Sequence, residues 1–369
     1  MTRALHILHI FPGFRIGGAQ MRFVELAKGF GDAFTHTIIA LDGSYTAARF
    51  LPPGLPITLG EDAPDKSGSL PARLRRYRKE IAAKAPDLLV TYNWGSIEWA
   101  MANFIGGVPH IHIEDGFGPE EAVRQFRRRV LTRRLTLSRS QVIVPSLTLR
   151  DLALRVWRLN SQNLHYIPNG IPSHEPAPVP PGLADIPHDK PRIVWAGAVR
   201  REKNLPRLLD AFAPLRDQAV LIVAGDGSEL DAARRQAEAL SLNGSVFFLG
   251  RREDVRDIIP QCDLMALSSD TEQMPLVVLE AMAAGLPIAG TRVGDVANMV
   301  AEENRPAIVN ISDTALSEAM RSLVADAAAR QAIGAANRQR WLQDYQAESM
   351  IAAYAALFRQ TAARKARRP

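Results

Sequence analysis

Two acidic residues flank the predicted start of a helix in the second half of the chain. Glu272 stands before Pro275, and Glu280 lies inside the apolar run that follows. Proline suits the first turn of a helix because its missing N–H leaves no bond unmade there, and glycine suits the position just after a helix. Since Gly285 closes the run, the pattern predicts a helix over residues 276–284, with one carboxylate before its first turn and one inside it.

The start of this helix has the properties of a phosphate site. The first-turn N–H groups of Leu276, Val277 and Val278 have no partner within the helix and lie at the positive end of its dipole, an arrangement that binds anions. The two carboxylates are better suited to accept hydrogen bonds from sugar hydroxyls than to face a bare phosphate. The pattern therefore indicates a ligand with a central diphosphate and hydroxyl-bearing groups at both ends, as in a nucleotide-sugar.

The same segment, residues 268–287, resembles the E-x7-E motif of family 4 glycosyltransferases, which are retaining enzymes of the GT-B fold. Glu272 and Glu280 stand at its two acidic positions. The resemblance implies that Glu272 contacts the donor sugar and Glu280 the donor ribose. A departure is Gln273, because the family most often has glycine there. The further donor-binding residues implied in this segment are Gln273, Met274, Leu276 and Val277.

A second stretch, residues 197–204, is similar to a cationic loop of that family. Lys203 stands at the position of the family's diphosphate-binding lysine, while Ala198 replaces its usual arginine. Arg200 or Arg201 is then needed as the second positive charge, and we favour Arg200. A departing nucleoside diphosphate requires such fixed cations because negative charge develops on it in the transition state.

Glycine turns extend the resemblance over nearly the whole chain. A glycine pair before the first predicted helix looks like the family's Gly-Gly loop, where a bare backbone can approach donor or acceptor closely. The turn over residues 248–251 looks like the one that lines the base site. The donor-site residues implied by these turns and by the cationic loop are Gly17, Gly18, Gly197, Gly250 and Arg251.

The acceptor side departs from the family, because Asp115 stands where many members carry a histidine. If residues 108–113 alternate as a strand, His110 and His112 share one face and Asp115 belongs to the other. We favour Asp115 as the acceptor-side group and keep both histidines as alternative candidates, since a lone strand histidine is more often structural. In retaining enzymes of this type, the leaving phosphate itself can take the acceptor proton.

The elements that must position these residues alternate between strand and helix, which predicts parallel sheets. The strand candidates are residues 5–11, 36–41, 87–92, 108–113, 141–144 and 164–167, and then 192–197, 219–225, 245–250, 263–267, 287–290 and 307–310. The helix candidates are residues 19–30 and 70–84, then 205–212, 229–240, 254–260 and 276–284, followed by a long helical region over 316–359.

The predicted fold class is therefore α/β, and the resemblance specifies GT-B, with two Rossmann-like doubly wound domains facing a central cleft. Residues 1–172 form the acceptor-side domain, and the proline-rich residues 173–191 form a linker. Residues 192–345 form the nucleotide-sugar-binding domain. Residues 346–369 form a C-terminal helix and basic tail that pack back towards the first domain.

The chain has a net charge of +6, and its arginines are clustered. Such clusters attract anionic surfaces, although a solvated basic face is an equal alternative. Nucleic acid is not expected as a partner, because no zinc-finger or aromatic RNA-binding motif is present. The clusters are Arg124, Arg127, Arg128, Arg129, Arg133, Arg134 and Arg139, then Arg73, Arg75, Arg76, Arg78 and Lys79, and finally the tail at residues 364–368.

Several sequence features limit the location and chemistry of the protein. No apolar run is long enough to span a membrane, and Cys262 is the single cysteine, so we expect a cytoplasmic protein that is peripheral at most on the inner membrane face. The sequence contains no Asp-x-Asp and no His/Cys cluster with metal-ligand spacing. We therefore expect catalysis without a metal or any other cofactor.

These features predict a retaining glycosyltransferase that moves sugar from a UDP- or GDP-sugar to a glycan or lipid-linked acceptor in cell-surface polysaccharide synthesis. A non-catalytic nucleotide-sugar-binding subunit remains an alternative because of the departures at Ala198, Gln273 and Asp115. An epimerase or phosphorylase on the same fold is a further alternative, although the motifs of those enzymes differ around Glu272 and Glu280.

Overall fold

The computed structural model describes residues 3–60, 65–104, 107–117, 121, 125–175 and 178–363. The chain divides into two compact units. Unit 1 runs to Asn169 and resumes at Ala347, while unit 2 is the continuous segment from Gly170 to Gln346. The basic tail of the sequence prediction lies outside the described residues.

Unit 1 is built on a parallel sheet with strand order β3-β2-β1-β4-β5-β6-β7. Its elements up to residue 169 are β1 Leu5–Phe11, α1 Gly18–Phe30, β2 Phe34–Ala40, β3 Ile57–Leu59, α2 Leu70–Lys84, β4 Leu88–Tyr92, α3 Ile97–Phe104, β5 His110–Ile113, α4 Arg127–Thr136, β6 Gln141–Val144, α5 Leu147–Arg155 and β7 Leu164–Tyr166.

Unit 2 repeats this plan with strand order β10-β9-β8-β11-β12-β13. Its elements are β8 Arg192–Ala196, α6 Leu205–Phe212, β9 Val220–Ala224, α7 Leu230–Ala239, β10 Val246–Gly250, α8 Val255–Ile258, β11 Leu264–Leu267, α9 Leu276–Ala283, β12 Ile288–Thr291, α10 Val296–Met299, β13 Ile308–Val309, α11 Asp313–Ala325 and α12 Ala327–Asp344. The final helix, α13 Ala347–Ala363, belongs to unit 1.

Each sheet is doubly wound, and this order determines which loops are neighbours. In unit 2, β8 pairs with β11 in parallel, so the loops that follow these two strands leave the same edge of the sheet. The strand order reverses at this pair, which is where open α/β sheets form ligand sites. The two loops hold Lys203 and Glu272, respectively. The fold class predicted from the sequence, two Rossmann-like α/β domains, is confirmed.

Most predicted elements are present within a few residues of their predicted bounds. The predicted elements do not include the short strand β3 or the helices α3, α4, α5 and α10. The predicted helical region 316–359 is three helices, because the chain breaks twice. At the first break, Asp326 leaves helical geometry and its side chain caps α12. At the second break, Tyr345 leaves helical geometry before α13 begins.

The proline-rich segment does more than connect the two units. It lies in unit 2, where Leu183 and Ile186 are buried in the core. The guanidinium of Arg192 donates to the carbonyl of Pro187 at 3.0 Å and to that of Leu183 at 3.2 Å. The segment therefore forms part of the core of this unit. Proline breaks regular secondary structure but does not prevent burial of the residues between prolines.

Candidate functional site

A cation and a carboxylate are in direct contact at the carboxyl end of the unit 2 sheet. The Nζ atom of Lys203 donates to Oε1 of Glu272 at 2.5 Å. The hydroxyl of Ser269 donates to the same oxygen at 2.7 Å. Both charged side chains are largely covered but still reach the surface. The structure thus brings together two of the residues that the sequence singled out, although they are far apart along the chain.

Hydrogen bonds to backbone carbonyls hold the two loops together. The hydroxyl of Ser268 donates to the carbonyl of Lys203 at 2.9 Å, and the N–H of Asp270 donates to the carbonyl of Glu202 at 2.8 Å. The hydroxyl of Thr291, at the end of β12, donates to the carbonyl of Ser269 at 2.6 Å. The ion pair therefore stands on a fixed scaffold.

Gly294 allows a third loop to pack against the backbone of Glu272. Its φ is +50°, in the left-handed region, and a Cβ added there would lie 2.3 Å from the carbonyl oxygen of Glu272. The N–H of Asp295 donates to the carbonyl of Gln273 at 2.9 Å. A residue with a side chain at position 294 would therefore displace the loop that holds Glu272.

Helix α9 begins at Leu276, as predicted, with Pro275 just before it. The N–H groups of Leu276 and Val277 have no partner within the helix. The prediction of a free N–H at Val278 is wrong, because this N–H donates to the carbonyl of Pro275 at 3.2 Å. Gly285 follows the helix with φ +73°, which confirms its predicted role.

Glu280 lies one turn into α9 and faces an arginine that the sequence analysis did not identify. Its Oε1 is 3.9 Å from Nε of Arg256, which comes from α8. Burial raises the pKa of the Glu280 carboxyl to about 7, and the positive charge of Arg256 opposes that rise. A second nitrogen of Arg256 donates to the carbonyl of Pro172 at 2.8 Å, which fixes the guanidinium.

The other donor-site residues predicted in the cationic loop and on α9 are placed less directly. Arg200 is exposed, with its guanidinium 3.9 Å from Glu202. Met274 is buried in the core, so its side chain is not available to a ligand. Leu276 and Val277 are partly buried.

The predicted glycine-turn residues follow strand ends or open a helix. Gly197 follows β8 directly, and Gly250 ends β10 with φ +68° before the exposed Arg251. Gly18 is the first residue of α1, and Gly17 precedes it with extended backbone. A Cβ on Gly17 would meet the flexible end of Gln20 at 2.9 Å, so the fold itself does not require glycine there.

Asp115, the predicted acceptor-side residue, is held by a buried arginine of α1. Nη2 of Arg22 donates to one carboxylate oxygen at 2.9 Å, and Nη1 donates to the other. Nη1 of Arg22 also donates to Oδ1 of Asn169 at 3.0 Å. The N–H of Asp115 donates to Oδ1 of Asn93 at 2.7 Å. Both oxygens of the Asp115 carboxylate are therefore engaged by one guanidinium.

His110 and His112 lie inside the sheet layer of unit 1 and are both buried. The ring nitrogens of His110 contact the hydroxyls of Thr91 at 2.8 Å and Ser140 at 2.7 Å, and His112 contacts the same Thr91 at 2.8 Å. Burial, followed by the neighbouring His112, lowers the pKa of His110 to about 3. The buried ring of His110, with both nitrogens occupied, cannot reach an acceptor without breaking these bonds.

The described ranges of the chain contain neither a cluster of metal ligands nor a helix that could span a membrane. Within these ranges, no group of three His, Cys, Asp or Glu side chains is placed to hold a metal ion. No helix of the described part of the chain combines the length and apolar character needed to cross a bilayer.

Two family profiles match the chain, one in each half. The profile described as Glycosyltransferase Family 4 matches residues 16–175. The profile described as Glycosyl transferases group 1 matches residues 184–340. Together they cover most of both units.

Curated relatives and solved structures show the same likeness. N-acetyl-alpha-D-glucosaminyl L-malate synthase of Bacillus anthracis is 28% identical over 169 residues, or 45% of this chain and 44% of that protein. A lipopolysaccharide core biosynthesis glycosyltransferase of Rhizobium meliloti is 28% identical over 171 residues, or 46% of this chain and 50% of that protein. These two matches span half or less of each relative.

The crystal structure of Anabaena HepE in complex with UDP and glucose has a TM-score of 0.80 with this chain, at 19% identity, and the superposition covers 96% of this chain and 100% of that one.

Proposed function

This chain is a family 4 glycosyltransferase with the GT-B fold, and we propose that it moves a sugar from a UDP- or GDP-sugar to a glycan or lipid-linked acceptor with retention of configuration. The contact between Lys203 and Glu272 beside the start of α9 carries this proposal. It combines a cation, a carboxylate and free helix N–H groups in one place, as a sugar diphosphate requires.

In the proposed mechanism, each of these groups has one task. The diphosphate lies against the first turn of α9. Lys203 then exchanges its contact with Glu272 for a contact with the diphosphate. The carboxylates of Glu272 and Glu280 then accept hydrogen bonds from hydroxyls of the donor sugar and ribose. As the bond to the diphosphate breaks, Lys203 and the helix N–H groups stabilise the growing negative charge, which is the main catalytic contribution.

We further propose that the leaving diphosphate takes the proton of the acceptor hydroxyl. The guanidinium of Arg22 occupies both oxygens of Asp115, which leaves this carboxylate poorly suited to act as the base. We also propose that transfer needs no metal ion, because Lys203 and the α9 N–H groups supply positive charge to the diphosphate.

Calorimetric titration with UDP, GDP, ADP and their sugars, followed by a turnover assay, tests the proposed function. We expect micromolar binding of one nucleotide family and release of that nucleotide when a glycan or lipid acceptor is present. Tight binding without turnover on any acceptor would favour the non-catalytic subunit. Absence of binding to the whole panel would contradict the donor site.

Glu280 gives the donor site a pH dependence. Its carboxyl has a raised pKa of about 7, so it is increasingly protonated as the pH falls below 7 and loses its ability to accept two hydrogen bonds from ribose. We expect nucleotide affinity to be constant above pH 8 and to fall by about tenfold per unit well below pH 7. Titrations from pH 5.5 to 8.5 measure this, and the inflection should vanish in Glu280→Gln. A flat profile in the wild-type protein would contradict the ribose contact.

Only part of the predicted basic clusters lies on the surface. Arg73 pairs with Glu98 at 2.7 Å, and Arg133 is fully buried. Arg124 and residues 364–368 lie outside the described residues. Any surface for an anionic partner must therefore be sought among the remaining exposed arginines.

The outer face of α4 combines such arginines with exposed leucines. Leu131 and Leu135 lie one turn apart and are 56% and 60% exposed. Arg127, Arg128 and Arg134 are exposed on the same helix, and the sequence has no acidic residue from 125 to 139. A basic and apolar helix face is suited to the surface of an anionic lipid bilayer. We propose that this face attaches the enzyme reversibly to such a membrane.

Vesicle sedimentation tests this attachment. We expect a Leu131→Glu/Leu135→Glu variant to bind vesicles rich in phosphatidylglycerol at least tenfold more weakly than the wild type, because it loses apolar contact and adds negative charge. Leu342→Glu is the control, since Leu342 is an exposed leucine of unit 2. If the α4 variant binds as well as the control, this face does not contact the membrane.

A further inference from the structure

Unit 1 contains a pocket of about 440 Å³ that the donor chemistry does not use. Its size is within the usual range for small-molecule sites. The lining residues are Pro12, Asn93, Trp94, Gly95, Asp115, Gly116, Phe117, Glu121, Arg129 and Arg133. Aromatic rings and charged groups therefore converge on one cavity.

Arg133 is the least satisfied of these charged groups. Its side chain is fully buried, and Nε donates to Oε2 of Glu114 at 3.0 Å. Nη1 is 3.4 Å from Oε1 of Gln125. Within the described part of the chain, Nη2 has no hydrogen-bond partner. A buried donor without an acceptor costs free energy. An acceptor oxygen from a ligand would therefore stabilise this nitrogen, since the described residues supply none.

A second guanidinium stands beside the first. Nη1 of Arg129 donates to Oε2 of Glu121 at 2.8 Å, and Nη1 of Arg133 is 3.6 Å from the same oxygen. The other oxygen of Glu121 accepts the N–H of Phe126 at 3.1 Å. The carboxylate of Glu121 therefore lies between two arginines of the pocket wall.

Aromatic rings fix these guanidinium groups in place. The ring of Trp94 lies 5.2 Å from Arg129 and 4.9 Å from Arg133. Trp157 and Phe117 also confine Arg133, at 4.8 and 5.6 Å. Stacked arginines lose little further freedom when a ligand binds, because their planar forks are already held.

The acids at the pocket do not exclude an anion, because each of the described ones is engaged by an arginine. Glu114 contacts Arg133, Glu121 contacts Arg129 and Asp115 contacts Arg22. The preference for an anion follows from the unpartnered Nη2 of Arg133, because a hydrogen bond from a guanidinium is strongest to a charged oxygen.

We propose that this pocket binds an oxyanion of the acceptor, either a carboxylate or a phosphate, between Arg129 and Arg133. Nη2 of Arg133 donates its unmade bond to the anion, and Arg129 adds a second contact from the pocket mouth. The ring of Trp94 then lies beside the body of the acceptor. The assignment of the anion to an acceptor depends on the proposed transfer function, whereas anion binding by the pocket does not.

Titration of inorganic phosphate and of succinate at constant ionic strength tests the pocket directly. The test variant is Arg129→Gln, because Arg129 is partly exposed and glutamine keeps a donor for the buried Glu121, whereas Arg133 is fully buried. Arg150→Gln on α5 is the matched control, since it removes an exposed arginine of the same unit. Lys203→Ala serves as the background in which the proposed donor phosphate site is disabled.

We expect Arg129→Gln to weaken binding of one or both anions by about tenfold, the effect of one charge-assisted hydrogen bond. In the Lys203→Ala background, Arg150→Gln should leave the affinity unchanged, and the tighter anion identifies the acceptor group. Equal affinity with and without Arg129→Gln in that background, or no anion binding at all in that background, would overturn the proposal. Nucleotide titration of Arg129→Gln tests the donor site separately, so failure of either site is distinguishable from failure of the other.

Discussion

Replacing Lys203 by alanine is expected to lower kcat by about 10²- to 10³-fold while leaving the melting temperature nearly unchanged. The ammonium group of Lys203 provides the fixed positive charge beside Glu272, and a neutral water molecule in its place cannot supply that charge. The fold should tolerate the loss, since Ser269 still donates to Glu272 and the loops remain joined by the hydrogen bonds of Ser268 and Asp270. Release of nucleoside diphosphate from the donor measures the effect.

A matched control and a double variant make this result specific. Arg216→Ala removes an exposed arginine of the same unit and should leave kcat unchanged. Because Lys203 and Glu272 are in contact, the effects of Lys203→Ala and Glu272→Gln should be far from additive. If Lys203→Ala has the turnover of the wild type, the donor site lies elsewhere.

Asp115→Ala is expected to destabilise the protein by about 3–5 kcal/mol, because it leaves a buried charge without its partner. Arg22 is only 2% exposed, and within the described part of the chain its remaining hydrogen-bond acceptor after the substitution would be Oδ1 of Asn169. Urea unfolding measures the loss. The double variant Arg22→Met/Asp115→Ala should recover much of it, since no unpaired charge then remains.

The exposed pair of Arg15 and Asp42 provides the control for this experiment. Its charged atoms are 2.9 Å apart, but both side chains reach solvent. Asp42→Ala should therefore cost no more than about 1 kcal/mol. Equal losses of unfolding free energy in Asp115→Ala and Asp42→Ala would show that the buried pair stabilises the fold no more than the exposed pair does. An activity loss in an Asp115 variant identifies a base only after this instability has been corrected for.

The sequence predicts the parts of the donor site that lie within one continuous segment. The start of α9 near Leu276 and the glycine turn at its end depend on local backbone preferences, so proline and glycine reveal them. The contact of Lys203 with Glu272 follows from the pairing of β8 with β11, which strand alternation alone does not determine. For that contact the family resemblance supplied what the local pattern lacked.

Residues contributed by distant elements were missed for the same physical reason. Arg22 and Arg256 reach Asp115 and Glu280 from helices whose own sequences give no sign of a partner. The placement of His110 and His112 was open from the sequence, because alternation assigns a face of the strand but not what covers that face. In the structure, other polar side chains of the interior cover it.

The division of unit 1 between the two ends of the chain has a consequence for biosynthesis. Tyr354 and Phe358 of α13 are fully buried in its core, with the ring of Phe358 6.0 Å from that of Phe34. A translating ribosome makes these residues only after all of unit 2, on the order of ten seconds after Asn169. Unit 2 is continuous and can fold while synthesis proceeds. Until then, the part of the first core that α13 covers stays exposed in the nascent chain, so unit 1 completes its packing after unit 2.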